Sequence, residues 1–408
     1  MGKSAYESDS DLMQVLLVTN LYPPQELGGY GRSMADFAWG LMQRGHYVQV
    51  LCADVPHLGD SSNGPSGEPV SRCLTLKGSF EGGVRLEQNP EICRTYDATN
   101  QHLVRRWLSQ RKWDGVLVGN IDLLGLETLQ PLIDAAIPLL HHIGFVTPPF
   151  DPTHTPTTTG YQVVCASQAV KQNLIQAGME ISTAPVVYPG ARVELYGHRI
   201  NDRPVPAPPS PSKHQLLKIC FAGLQMSSKG PHTLLEAIAI LKKKNVPTYC
   251  MLAGGIYQER YMQAMHSFID AQQLQNNVQF VPQLTRQQLS RFFRLHHVCV
   301  FPSIHPEAFG IVAAEAMASG LALVSSGVGG AAEVFEDGIS GLSFEAGNAT
   351  SLAAQLERLW REPVLLKTLQ RNGEQRARER FSVQRSAEDL ETLLIQLKRR
   401  SPALRPSE

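Results

Sequence analysis

The 408-residue chain predicts an α/β protein of two Rossmann-like halves, each a parallel sheet covered by helices. Three observations carry this. Apolar strand-like runs alternate with helical patterns from Gln14 to Ser325, an alternation that requires parallel strands joined by crossover helices. The series is interrupted at Arg203 to Pro211, where five of nine residues are proline, and a stiff, extended segment of that kind suits a linker. It then restarts at Leu217, and the length allows two domains of ordinary size.

In the first half, Gln14 to Thr19 reads as a strand, Tyr30 to Gln43 as an amphipathic helix stopped by Gly45, and Tyr47 to Ala53 as the next strand. Asp54 to Gly83 is rich in Gly, Pro and Ser and reads as one long loop. Leu103 to Trp113 reads as a basic helical stretch. Its Arg105, Arg106, Trp107, Arg111 and Lys112 are compatible with peripheral contact to an anionic membrane surface, although a solvated helix face is the commoner use of such a run. Further strands are expected at Gly115 to Val118, Ile137 to His142, Val163 to Ala166 and Pro185 to Val187. Thr147 to Thr159, with four prolines, is expected to be irregular.

In the second half, Lys218 to Gly223 is a strand and Pro231 to Lys244 a helix, with Pro231 suited to the first helical position. Strands follow at Thr248 to Ala253, Val278 to Val281, Val298 to Phe301 and Leu321 to Ser325. Ser382 to Arg400 has helical periodicity.

Composition narrows the function. Lys+Arg and Asp+Glu both number 37, and this zero balance argues against a nucleic-acid binder. No run approaches the roughly 18 consecutive apolar residues of a membrane-spanning helix, and Met1 to Asp11 carries no apolar signal region. Seven scattered cysteines suit reduced thiols in a cytoplasm. Asp9-Ser10-Asp11 has a metal-binding pattern by chance, since it lies in a polar tail ahead of the first strand; no metal or other cofactor is expected.

The strongest chemical signal is His305 to Gly320. An apolar strand leads into a short polar loop holding Glu307, then Phe309 and Gly310, then an Ala-rich helix holding Glu315. A strand, loop and helix N-terminus suit an anion such as a diphosphate, and Gly310 lets backbone approach it closely. Lys229-Gly230 occupies a similar strand-to-helix junction, where its ammonium could neutralise the same anion. Gly28-Gly29 follows the first strand and could present amides to a phosphate; taken alone, the pair reads sooner as a flexible turn.

These residues resemble the Glu-x7-Glu motif of the retaining glycosyltransferases of family 4, also called group 1. The resemblance extends to Phe221-Ala222-Gly223 with Lys229-Gly230, to Leu252-Ala253-Gly254-Gly255, and to Val278 through Gln283. It also takes in Val300 through Ser303, Gly329-Gly330 with Glu333, and Asp337-Gly338 with Gly341. Pro23-Pro24, Gly28-Gly29 and Arg44-Gly45-His46 match near the start. The resemblance implies a GT-B fold: an acceptor-side domain over 12–195 joined by a C-terminal helix at about 382–400, a linker over 196–215, and a nucleotide-sugar domain over 216–381.

It further implies a nucleotide-sugar donor held by Gly28, Gly29, Lys229, Leu284, Glu307, Phe309, Gly310, Ile311 and Glu315. Glu307 would take the donor sugar and Glu315 the ribose. Two positions depart from the family pattern: Leu224 stands where a second phosphate-binding Arg is usual, and Gly144 where a His near the reacting carbon is usual. His142, at the end of its strand, is the remaining candidate for that catalytic role. The implied activity is transfer of a sugar to a glycan, a lipid-linked acceptor or a small molecule. The alternatives are another GT-B enzyme, such as a nucleotide-sugar epimerase, or a non-catalytic binding protein on the same scaffold.

Overall fold

A computed structural model describes residues 12–61, 63–81, 84–196, 206–211 and 214–400. Backbone contacts divide the chain into two units. One comprises 1–143, 149–164 and 387–408, the other 144–148 and 165–386. The stretch 165–195, expected with the first half, thus falls in the second unit. Its bonds lie there: Ala191 bridges Ser382, and the backbone amides of Gln168 and Ala169 donate to Glu333. Most of the 196–215 linker and the Asp9-Ser10-Asp11 tail lie outside the described residues.

The first unit begins with β1 (Gln14–Val18), α1 (Tyr30–Gln43) and β2 (Tyr47–Ala53). β1 is buried along nearly its whole length, as a strand with neighbours on both sides and helices on both faces must be. α1 ends where Gly45 takes a left-handed φ of 91° that a side chain would resist. The segment expected as a loop instead carries an edge strand, β3 (Val70–Leu74), followed by a short hairpin of β4 (Gly78–Ser79) and β5 (Arg85–Leu86). β3 pairs only with β2, so its outer residues need not be apolar, and the polar Ser71 and Arg72 hid it.

α2 (Pro90–Gln110) starts with Asn89 accepting from the Glu91 amide and Pro90 at its first turn. Then come β6 (Gly115–Val118), α3 (Gln130–Asp134), β7 (Leu139–Ile143) and β8 (Tyr161–Cys165). Pro185 to Val187 is no strand; Val186 makes a single bridge to Cys165. The sheet order is β3-β2-β1-β6-β7-β8, so the chain steps one way from β1 and the other way from β6.

The second unit repeats the plan. It contains α4 (Gln168–Gln176), α5 (Val193–Tyr196), β9 (Leu217–Ala222), α6 (Pro231–Lys243), β10 (Thr248–Ala253), α7 (Glu259–Ala271) and β11 (Val278–Val281). It continues through α8 (Arg286–Phe293), β12 (Val298–Phe301), α9 (Ile311–Ala318), β13 (Ala322–Ser325), α10 (Ala331–Val334), β14 (Leu342–Ser343), α11 (Ala349–Arg361) and α12 (Pro363–Arg380). Its parallel sheet runs β11-β10-β9-β12-β13-β14, reversing between β9 and β12. Apolar residues fill both faces: Ile219, Leu234, Ile238, Leu252 and Val300 on one, Phe293, Cys299, Met317 and Leu323 on the other.

The last helix, α13 (Val383–Arg400), is continuous, and from Ala387 onward its residues belong to the first unit. There Glu391 takes Arg44 Nε at 2.6 Å and His46 Nε2 at 2.9 Å. No helix among the described residues is long and apolar enough to cross a membrane.

Candidate active site

Ligands of open α/β sheets bind at the carboxyl ends of the strands where the order reverses. In the second unit that place is between β9 and β12, and the loops leaving these two strands carry Lys229 and Glu307. The loops are tied together, since the Ile304 amide donates to Ser228 O at 2.8 Å. Gly230 sits at φ 69° with Pro302 O so close that a Cβ would lie 2.0 Å from it, so only glycine lets the loops meet.

Lys229 Nζ lies 2.6 and 2.8 Å from the two carboxylate oxygens of Glu307. Ser303, buried at the end of β12, donates its hydroxyl to Glu307 Oε1, and its carbonyl accepts from Ser326 Oγ at 2.6 Å. The Glu307 backbone is held as well: its amide donates to Val328 O, and its carbonyl accepts from the Gly330 amide at 2.7 Å. This pairing requires glycine opposite it. A Cβ on Gly329 would stand 2.5 Å from Glu307 O, and one on Gly330 2.2 Å from Ala308 O. The carboxylate is therefore fixed from two strand ends, with its side chain 14% exposed and that of Lys229 33% exposed, enough for either to meet a ligand.

Immediately after Glu307 begins α9. Gly310, at φ 106°, is its N-cap, and no side chain caps the first turn. α6 likewise starts at Gly230 without a side-chain cap. Two helix N-termini, each the positive end of its dipole, thus flank the Lys229–Glu307 pair. Ile311 is half-buried, and Leu284 packs partly against the same core. Glu315, one turn into α9, is 1% exposed. Phe309 is a core residue, its ring 5.5 Å from Tyr188 and 5.3 Å from Phe381, so its only route to a ligand is its backbone. Glu333 caps α4, accepting from the Gln168 and Ala169 amides and from Tyr188 OH at 2.8 Å. Burial, then Glu333, pushes the Tyr188 phenol up to about 12.

The remaining expected residues lie in the first unit. Gly28 and Gly29 are exposed in the loop before α1, Gly28 at φ 74° and Gly29 as the N-cap. The start of this loop is clamped by β3: Arg72 donates to Tyr22 O at 2.9 Å and Pro23 O at 2.8 Å, while Tyr22 OH donates to Glu68 at 2.6 Å. His142 is fully buried at the end of β7, edge-on to Phe37 at 4.8 Å. Tyr30 OH donates to the His142 carbonyl and lies 3.1 Å from its Nδ1.

In the basic stretch, Arg111 lies 4.0 Å over the Tyr47 ring and donates to Gln14. Trp113 is buried with its indole bonded to Trp107 O. Arg105, Arg106 and Lys112 are exposed, and Trp107 is half-buried.

Sequence reasoning missed Ser303, the Ser326 bond behind it and the Arg72 clamp. Of these only Ser303 left a trace, as the polar residue ending an apolar strand.

Two parallel six-stranded sheets, each with its strand order reversing at the centre, give the chain the GT-B fold. Residues 207–378 match the family described as glycosyl transferases group 1. It is similar to glycogen synthase of Mycobacterium tuberculosis, 24% identical over 91% of this chain and 92% of that one. D-inositol 3-phosphate glycosyltransferase of Mycolicibacterium smegmatis is 27% identical over 84% and 81%. Among solved structures, a glycosyltransferase from Rickettsia africae superposes with a TM-score of 0.75 at 17% identity, covering 95% of this chain and 99% of that one. Anabaena HepE in complex with UDP and glucose superposes at 0.68 and 20%, covering 94% and 100%.

Proposed function

We propose that the protein is a retaining glycosyltransferase of family 4 whose second unit holds the donor diphosphate and sugar. The observation that carries this is the Lys229–Glu307 pair, fixed between two uncapped helix ends at the strand reversal. Lys229 and the amides of α9 meet the diphosphate charge that grows as the bond to the sugar breaks. Glu307 accepts hydroxyls of the sugar, and Glu315 the ribose hydroxyls. Leu284 lies beside the base. The donor C1–O bond breaks toward the diphosphate, the acceptor oxygen attacks C1 on the same face, and its proton passes to the departing phosphate oxygen.

With Leu224 in place of a second cation, Lys229 carries more of the phosphate charge than it would beside an arginine. No metal is needed in this scheme, and chelation by EDTA should leave turnover intact. Seven free cysteines support a cytoplasmic setting.

The test has two stages. Melting is followed with UDP, GDP and ADP, because a ligand that binds only the folded state raises its melting temperature. The sugar released or transferred from the matching α-linked donor is then analysed by proton NMR. An α product is expected. A β product overturns retention, and the absence of both nucleotide stabilisation and sugar release overturns the enzyme reading.

A further inference from the structure

The first unit has its own strand reversal, between β1 and β6, and the residues just past those strands form a polar cluster that the donor reading does not use. Asn20, two residues beyond β1, is 2% exposed. Its Oδ1 accepts from the Leu21 amide at 2.6 Å, and its Nδ2 donates to Asp122 Oδ1. Asn120, two residues beyond β6, takes the Asn20 amide on its carbonyl at 2.7 Å and the Asp122 amide on its side chain at 3.3 Å. Asp122 Oδ1 also accepts from the Leu123 amide at 3.0 Å.

The result is an exposed carboxylate whose position is set by a buried amide and two strand ends. Tyr30 stands within its field: burial, then Asp122, raises the Tyr30 phenol. Tyr30 is itself fixed by its bond to the His142 carbonyl at the end of β7. Three strand ends and the first residue of α1 therefore converge on one spot.

We propose that Asp122, held by Asn20 and Asn120, binds hydroxyl groups of a neutral sugar or polyol, the acceptor of the transfer. The acceptor role rests on the transferase reading above; the hydroxyl site does not. A carboxylate is a pure acceptor of hydrogen bonds and accepts readily from a sugar hydroxyl. Here its hydrogen-bonding neighbours are carboxamides and backbone amides, which bring it no positive charge. Such a site repels a phosphate ester, which carries its own negative charge. The inferred acceptor class is thus an uncharged polyol, with any phosphate placed away from the hydroxyl that Asp122 holds.

The experiment uses the full chain with UDP present. Saturation-transfer NMR is recorded with glucose, myo-inositol and glucose 6-phosphate on the wild type and on Asp122→Asn and Asp122→Ala. Transfer kinetics to glucose and myo-inositol follow, and UDP affinity of each variant by calorimetry separates a lost site from a lost fold. Expected are signals from the neutral sugars in the wild type, their loss in both variants, and an acceptor KM raised at least about tenfold with a smaller change in kcat, in line with one charge-assisted bond. Three results overturn the proposal: no neutral sugar bound by the wild type, glucose 6-phosphate preferred over glucose, or equal binding by wild type and variants. Sugar binding that depends on Asp122, with no transfer from any nucleotide sugar, overturns the acceptor role and the transferase reading together while the hydroxyl site stands.

Discussion

At the scale of single residues, the proposed donor chemistry turns on one contact. Lys229 and Glu307 neutralise each other, so a diphosphate arriving at Lys229 competes with a carboxylate already bound through both oxygens. Lys229→Ala should raise the donor dissociation constant about tenfold to a hundredfold, since a charge-assisted bond contributes roughly 1.5–3 kcal/mol. Calorimetry with the best nucleoside diphosphate checks this, and undiminished affinity would mean the phosphate charge is met elsewhere. Glu307→Gln keeps an acceptor for Ser303 but releases Lys229. Nucleoside diphosphate affinity should hold or improve in this variant, while turnover falls about a hundredfold if two sugar hydroxyl bonds weaken in the transition state. Normal kcat in Glu307→Gln would reduce the residue to a turn former. The strand, loop and helix N-terminus around each residue was legible in the sequence, because it is a local pattern. Ser303 was not, because its meaning depends on Glu307 folding back over the end of its own strand.

At the scale of elements, legibility followed burial. β2, β6, β10 and β12 lie at their expected limits because strands with two neighbours must be apolar throughout. β3 failed the same test because an edge strand has one neighbour and uses Arg72 to clamp the loop ahead of Gly28. The turn at Gly329-Gly330 is a second tertiary feature: it is glycine because the Glu307 strand passes against it. Gly330→Ala should cost about 1–3 kcal/mol, the usual range for overpacking, and should raise the donor KM as Glu307 shifts. Denaturant titration and donor kinetics on the same sample check both effects, and a variant losing neither would show that the contact yields freely. α13 offers a separate test. His46 Nδ1 accepts from the Met13 amide at 3.1 Å, so its proton is on Nε2 and goes to Glu391. Glu391→Ala leaves that buried donor and Arg44 without their acceptor and should cost about 1–3 kcal/mol, read as a lowered denaturation midpoint.

For the molecule as a whole, the two units share one plan, a six-stranded sheet with a reversal at its centre, yet they place different chemistry there: a cation and carboxylate pair in one, a carboxylate held by carboxamides in the other. They also share a reliance on neutral buried histidines, which sets the response to acid. In the first unit burial, followed by the neighbouring His142, lowers His141 to about 3, and its Nδ1 lies 2.7 Å from Tyr161 OH. In the second, burial lowers His296 and His297 to about 4. His297 shows why. Its Nδ1 accepts from the Lys218 amide at 2.9 Å and its Nε2 faces Ala207 O at 3.0 Å, so the ring is neutral with one proton, on Nε2, and a second proton would break the Lys218 bond. Unfolded histidine titrates near 6.5, so between about pH 6.5 and 4 the unfolded chain binds more protons than the folded one. Stability is therefore fully present above about pH 6.5 and declines as the pH falls, at a limiting slope of roughly 1.4 kcal/mol per pH unit for each such histidine. Carboxylates whose pKa is lowered by partners, such as Asp114 beside Lys398 and Glu127 beside Lys77, add their loss in a lower window, as the pH falls below their ordinary values near 4. Guanidinium denaturation at pH 7, 6 and 5 should show a steadily falling midpoint, and His297→Gln, which cannot titrate, should flatten the fall between pH 6 and 5. A midpoint constant from pH 7 to 5 in the wild type would mean that these histidines accept protons without leaving their folded positions.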